Sequence, residues 1–405
     1  MNFPKKIMED YIADKKKLYS VILEFLENSD ENFDDTTNEK CFERLSPITN
    51  QEVKDGACEK IEEFLRIVKN ISDEHHRDPT FIARTKQLLL HYKNQIKQTL
   101  SNEEIFYIFE GNKLLVHFLL ANDIIRMTEK ICEYMMNKCE PNGNRYCHFF
   151  YPELEHFLGE EKMKSVKKEL LNKSENIFNN YDLKREEGEN DSHICSMIRD
   201  DSVEEFISYV TRSNYSLSSQ IAPSIFETNS FLIERKNTTL IEYSAFFGSI
   251  QIFQYLMMNE VELTSSLWLY AIHSKNAELI HILETKNVCP PKFENKSEEE
   301  LKEANNEYLI CLIKSIKCHH NDFADYIQNT FLFQEEKDPK RNEMVICNCI
   351  KYHNYNYFET ETIKKHGFFY LCLYEYNELI NILLKEKEEK IKLRIIRITN
   401  ILMKD

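Results

Sequence analysis

The 405-residue chain carries 68 acidic against 52 basic side chains, a formal charge of -16, which repels a nucleic-acid backbone and excludes general nucleic-acid binding. Hydrophobic residues make up 42% of the chain and lie along its whole length, so it folds, as several domains or as an elongated repeat array. Only 7 Gly and 9 Pro are present, too few for sheets with a tight turn every ten or so residues, and helix is the class they favour.

The twelve cysteines lie at irregular intervals and the opening MNFPKKIMEDYIADKKK lacks the apolar core of a secretory signal. Reduced thiols and a cytoplasmic location are the expectation. No apolar run reaches the length of a bilayer span, since even IFYIFEGNKLLVHFLLANDII carries Glu110, Lys113, His117 and Asp123. No transmembrane segment is expected.

In chain order, Leu18, Val21, Ile22, Phe25 and Leu26 fall at three- and four-residue spacing and predict a one-sided helix over 11–26. Val53, Ala57, Ile61, Phe64, Leu65 and Val68 predict a second, and Phe81, Ile82, Leu88, Leu89 and Ile96 a third over 79–100. Together these read as a helical N-terminal domain, residues 1–100. Ser101 and Glu104 form a capping-box pattern that opens a new helical unit.

From there a phrase of apolar, apolar, polar, apolar, apolar residues recurs, starting at Leu115, Phe206, Ile252, Leu279, Phe323 and Leu379. Each comes after a shorter apolar stretch, respectively 104–109, 193–198, 240–246, 267–272, 308–316 and 368–373. The unit is helix, tight turn, helix. Stacking such pairs buries a continuous seam worth roughly 25 cal/mol per Å² of apolar area. The charged insert ENKSEEELKEANNE, with Ser297 and Glu300 as a further cap, sits in a connection. Residues 101–192 read as a divergent first repeat and helical connection, and 193–384 as the repeats. Residues 385–405 read as a capping helix with Ile391, Ile395, Ile398 and Leu402 on one face and Lys392, Arg394 and Arg397 elsewhere. An end cap is favoured over membrane contact because an array end needs covering.

Residues 239–257, TLIEYSAFFGSIQIFQYLM, resemble the ankyrin signature. Thr239 opens the first helix, Ser244 and Ala245 are the paired small residues, and Gly248 makes the turn. Leu240 stands where ankyrin units carry proline and Glu242 where they carry histidine, so Thr239 and Glu242 read as a capping box. Gly111 shares the turn position with Gly248, whereas Lys275 and His319 occupy it without glycine and predict a different turn geometry or a longer loop. From 193 to 328 the chain is similar to the trichomonad set of ankyrin-repeat proteins that carry a domain of unknown function. That resemblance implies an all-α, ankyrin-like helix-pair solenoid with a cytoplasmic binding role and no assigned catalytic residues.

Cys318, His319 and His320, with Asp322, form the densest group of potential ligands, which Cys289 or Cys311 would have to complete. Neighbouring residues on a helix point about 100° apart, so structural roles are favoured and neither metal nor cofactor is expected. There is no phosphate loop, no HExxH and no GxSxG, and the chain reads as a non-enzyme. Trp268 matches Ile241 in repeat register and reads as packing. Arg235, Lys236 and Asn237 precede the Thr239 helix, where an ankyrin hairpin extends toward partners. They, with His273, His319 and His320 beside the turns, are the candidate contacts for an unidentified protein partner. The alternatives are an adaptor whose N-terminal helices recruit a modification or degradation machine, and a metal-dependent enzyme centred on Cys318.

Overall fold

The computed structural model describes residues 3–27, 40–45, 57–74, 78–235, 237–291, 308–332 and 339–388. The expected all-α class is met: among the described residues helix is the regular element, interrupted only by isolated bridges pairing Cys139 with Arg145 and Gln220 with Thr239. The insert with Ser297 and Glu300, the residue Lys236, and the apolar stripe from Ile391 to Leu402 lie outside the described residues.

The chain forms two compact units, one of Leu26–Pro291 and one of Met1–Phe25 with Lys292–Asp405. This division differs from the expected boundaries at 100, 192 and 384. The first helix, Phe3–Glu27, buries Leu18, Val21, Ile22 and Phe25 as its spacing predicts. Its Tyr19 phenol meets His319 Nδ1 at 3.0 Å and accepts from Asn321 Nδ2 at 3.1 Å, which ties it to C-terminal helices. Within the larger unit Ala57–Glu74 lies against Lys93–Thr99 and against Asn102–Phe109. The helix expected over 79–100 is two, Pro79–His91 and Lys93–Thr99, because Tyr92 leaves helical geometry at φ -94° and ψ 10°.

Each of the six recurring phrases is the second helix of a pair. In the larger unit the pairs are Asn102–Phe109 with Lys113–Ala121, His193–Arg199 with Val203–Ser213, Leu240–Phe247 with Ile250–Met258, and Leu267–His273 with Ala277–Thr285. In the smaller unit Leu309–Lys317 pairs with Asn321–Phe331, and Phe368–Leu373 with residues 377–388. Both capping boxes are present, Ser101 with Glu104 and Thr239 with Glu242. Each satisfies orphan amides at a helix start, worth about 1 kcal/mol.

Within the larger unit the helix Leu240–Phe247 packs between His193–Arg199 and Leu267–His273, and Val203–Ser213 packs against Ile250–Met258. The carboxylate of Asp201, in the turn of one pair, accepts from the amides of Gln251 and Ile252 in the next at 3.0 and 2.9 Å. Trp268 is fully buried and its indole donates to the Val288 carbonyl at 2.7 Å, as a packing residue should.

The turns of every pair but the first share one geometry. Asp201, Gly248, Lys275, His319, His353 and Glu375 all have left-handed φ, between 47° and 71°. In each, the left-handed amide bonds back to a carbonyl three residues earlier, and in most the next amide reaches one five residues back. This is the helix-ending arrangement glycine usually supplies. Lys275, at 53°, and His319, at 60°, therefore adopt the Gly248 conformation rather than the different geometry expected of them. Packing of both helices in a pair offsets a cost of roughly 1 kcal/mol per such residue. Gly111 is the reverse case, since its φ is not left-handed.

Candidate functional site

The most elaborate connection in the repeat region runs from Asn214 to Thr239. Its ends are joined by Ile221 N to Thr238 O at 2.8 Å and Leu240 N to Ser219 O at 3.2 Å. Inside it, Asn229 caps the short helix Ser230–Glu234 by accepting from the amides of Phe231 and Leu232. The cap turns Phe231, Leu232 and Ile233 into the core and leaves Glu234, Arg235 and Asn237 outside. The Arg235 guanidinium lies 5.0 Å from the Phe231 ring centre, a cation–π contact that orients an otherwise mobile side chain.

Arg235 forms part of the wall of a small cleft with Asn142, Asn190, Ala222, Glu227 and Tyr243. The space within is about 30 Å³. That is room for roughly one water, far below the 300 Å³ or more that encloses a small ligand, so the cleft is a notch in a protein surface. Its floor is firmly held: the Tyr243 hydroxyl accepts from Arg199 Nη1 at 3.1 Å, and Asn190 Nδ2 donates to the Ala222 carbonyl at 2.8 Å. Burial first, then the nearby Cys195, Glu227 and Glu189, push Tyr243 ionisation well above the usual range. The phenol stays protonated as a hydrogen-bonding group.

Of the residues expected to meet a partner, Arg235 and Asn237 are exposed. His273, His319 and His320 require correction. They are 1%, 1% and 0% exposed, and their side chains belong to the interior. His273 packs 4.3 Å from the Phe231 ring and 5.1 Å from that of Phe246, and His319 meets the Tyr19 phenol. A polar residue beside a turn is not necessarily a surface residue when the turn itself is covered. Cys318 ends the helix Leu309–Lys317, His319 takes the left-handed position, and His320 precedes Asn321–Phe331, so successive side chains leave the backbone in different directions.

Sequence reasoning missed the charges buried between residues 113 and 185. Lys113 and Glu140 pair at 2.6 Å, both nearly inaccessible. Arg185 binds Glu153 through 2.7 and 2.8 Å contacts and Asp182 at 2.6 Å. Burial opposes ionisation of Glu153, but hydrogen bonds and charge from His117 and Arg185 prevail and hold its pKa below the usual value. Arg145 and His148 share the Glu169 carboxylate, each at 2.9 Å. Cys147 beside them is fully buried, its thiol pushed up to about 11 by burial, so it is not a poised nucleophile. Partners such as Glu153 and Arg185 are 32 residues apart, and no local spacing marks them.

No protein family, curated protein or solved structure matches the chain. Among the described residues no helix is long and apolar enough to cross a membrane.

Proposed function

We propose that this chain is a non-catalytic protein-binding module, built on divergent ankyrin-like helix pairs, whose contact surface is the connection carrying Arg235 and Asn237. The observation that carries the reading is the placement of these two exposed side chains on a loop braced at both ends, beside a firmly held notch too small for a small-molecule ligand. The pair geometry supports the ankyrin-like part. A left-handed residue ends the second helix twelve residues after the left-handed turn in two successive pairs, from Gly248 to Glu260 and from Lys275 to Asn287. The trichomonad ankyrin-repeat resemblance over 193–328 agrees with it.

The partner would be a protein segment able to place a carboxylate against Arg235 and a hydrogen-bonding group against Asn237. Capture from native lysate with the full chain and with Arg235→Glu tests this. A binding protein retained by the wild type and lost from Arg235→Glu, with the two chains equally folded, is the expected result. Identical sets of bound proteins would remove Arg235 from the contact surface.

A further inference from the structure

The hairpin Cys139–Arg145 is tied to the rest of its compact unit at three places. Glu140 pairs with Lys113, Asn144 donates to the Ser224 carbonyl at 3.0 Å and accepts from Lys173 at 3.0 Å, and Arg145 binds Glu169. The same hairpin carries Asn142, which lines the notch beside Arg235. Directly after it, the short helix Tyr146–Phe149 holds His148, which is 3% exposed.

Both ring nitrogens of His148 are assigned by their neighbours. Nδ1 lies 3.3 Å from the Arg145 backbone nitrogen, whose N–H can only donate, so Nδ1 is the bare acceptor. Nε2 lies 2.9 Å from a Glu169 carboxylate oxygen, to which its N–H donates. The closed arrangement thus requires neutral imidazole. A second proton on Nδ1 would set one N–H against another at the base of the hairpin. The backbone carbonyl of His148 also accepts from the Tyr181 hydroxyl, so movement there reaches the helix Tyr181–Glu187.

We propose that His148 is a proton-operated latch: in mild acid, protonation of Nδ1 breaks its bond to the Arg145 amide and loosens the base of the hairpin Cys139–Arg145, and with it the placement of Asn142 in the notch beside Arg235. The consequence for binding rests on the functional reading above, whereas the latch itself does not. Around the ring, Glu169 on the helix Glu160–Lys173 favours the charged form. Burial is the larger effect and opposes it, as do Lys173 on that helix and Arg145 on the hairpin, so the His148 pKa lies below its ordinary 6.5. The open state therefore takes up the proton more readily than the closed one. Closure is fully stable above about pH 6.5 and weakens as the pH falls. Glu169 is held below its ordinary 4.5 by the His148 hydrogen bond, against a smaller effect of burial, and by Arg145. The interval between these two ordinary values belongs to the histidine.

Cys147, adjacent and fully buried, reports the opening. The full chain is treated with a dipyridyl disulfide, which reacts with thiols in acid, at pH 5.5 and 7.5. The rate of Cys147 modification is read by peptide mass spectrometry and divided by that of the denatured chain at the same pH. The normalised rate should be higher at pH 5.5, by up to about tenfold, and His148→Gln, neutral at both values, should abolish the difference. Equal normalised rates in the wild type, or a difference that survives His148→Gln, would overturn the latch. Should His148→Gln fail to fold, amide hydrogen exchange over residues 146–150 of the wild type decides: protection unchanged between the two pH values, after correction for intrinsic rates, overturns it. Neither readout involves a partner, so an open latch with no partner at Arg235 would sink only the functional reading.

Discussion

Between residues 101 and 192 buried charges meet in pairs, Lys113 with Glu140 and Arg185 with Glu153, whereas the helix pairs from 193 to 285 bury mainly apolar side chains and repeat one turn. The two regions belong to one compact unit but fail in different ways. A buried ion pair that loses one member strands the other in a medium that solvates it poorly. An apolar pair that loses a turn or cap loses only that local contribution. The first region is accordingly specified by long-range charge partners, the second by local patterns.

The largest expected effect belongs to the first region. Arg185→Met leaves Glu153 with His117 beside it but without its guanidinium, and should cost about 3 kcal/mol, lowering the Tm by roughly 5 °C in thermal unfolding. A shift below about 1 °C would mean that the charges are not a structural requirement, and the contrast between regions would vanish.

Gly248→Val addresses the second region and should cost about 2 kcal/mol. At φ 71° a β-branched side chain is strained, and a Cβ would stand 3.4 Å from Asn276 Nδ2 and 3.5 Å from Ser274 Cβ. An unchanged Tm would show that the shared turn geometry is wrong at its best-marked position. The smallest effect has the opposite sign. Glu260, exposed at φ 61° where the helix Ile250–Met258 ends, bears the left-handed cost that glycine escapes. Glu260→Gly should raise stability by up to about 1 kcal/mol, and a loss measured by urea unfolding would contradict the assignment.

The second region was the more legible in sequence for the same physical reason. Thr239 and Glu242 act on each other three residues apart, and the phrase from Ile252 buries Ile252, Phe253 and Leu256 at helical spacing, so pattern and contact coincide. The recurring turn was legible only where glycine marked it. Lys275 and His319 take the same conformation because packing on either side forces it, and that force leaves no trace in their own identities. The candidate contact surface was half legible. Arg235 and Asn237 are exposed, as their place before a helix suggests, but the polarity of His273, His319 and His320 misled: all three are buried, and rings from other segments cover His273 and His319. His148 carries no telling pattern in its own stretch of sequence, because what gives it meaning is Glu169, which lies 21 residues away.

The central claim is that a protein partner is met at the braced connection before Thr239. Site-specific photocrosslinking in native lysate tests it most directly, with benzoylphenylalanine placed at exposed Asn237 in one chain and at exposed Lys168 in another. The account predicts a discrete protein adduct from position 237 that is absent from position 168 and is suppressed by Arg235→Glu. No adduct at 237, or the same adducts from both positions, would contradict it.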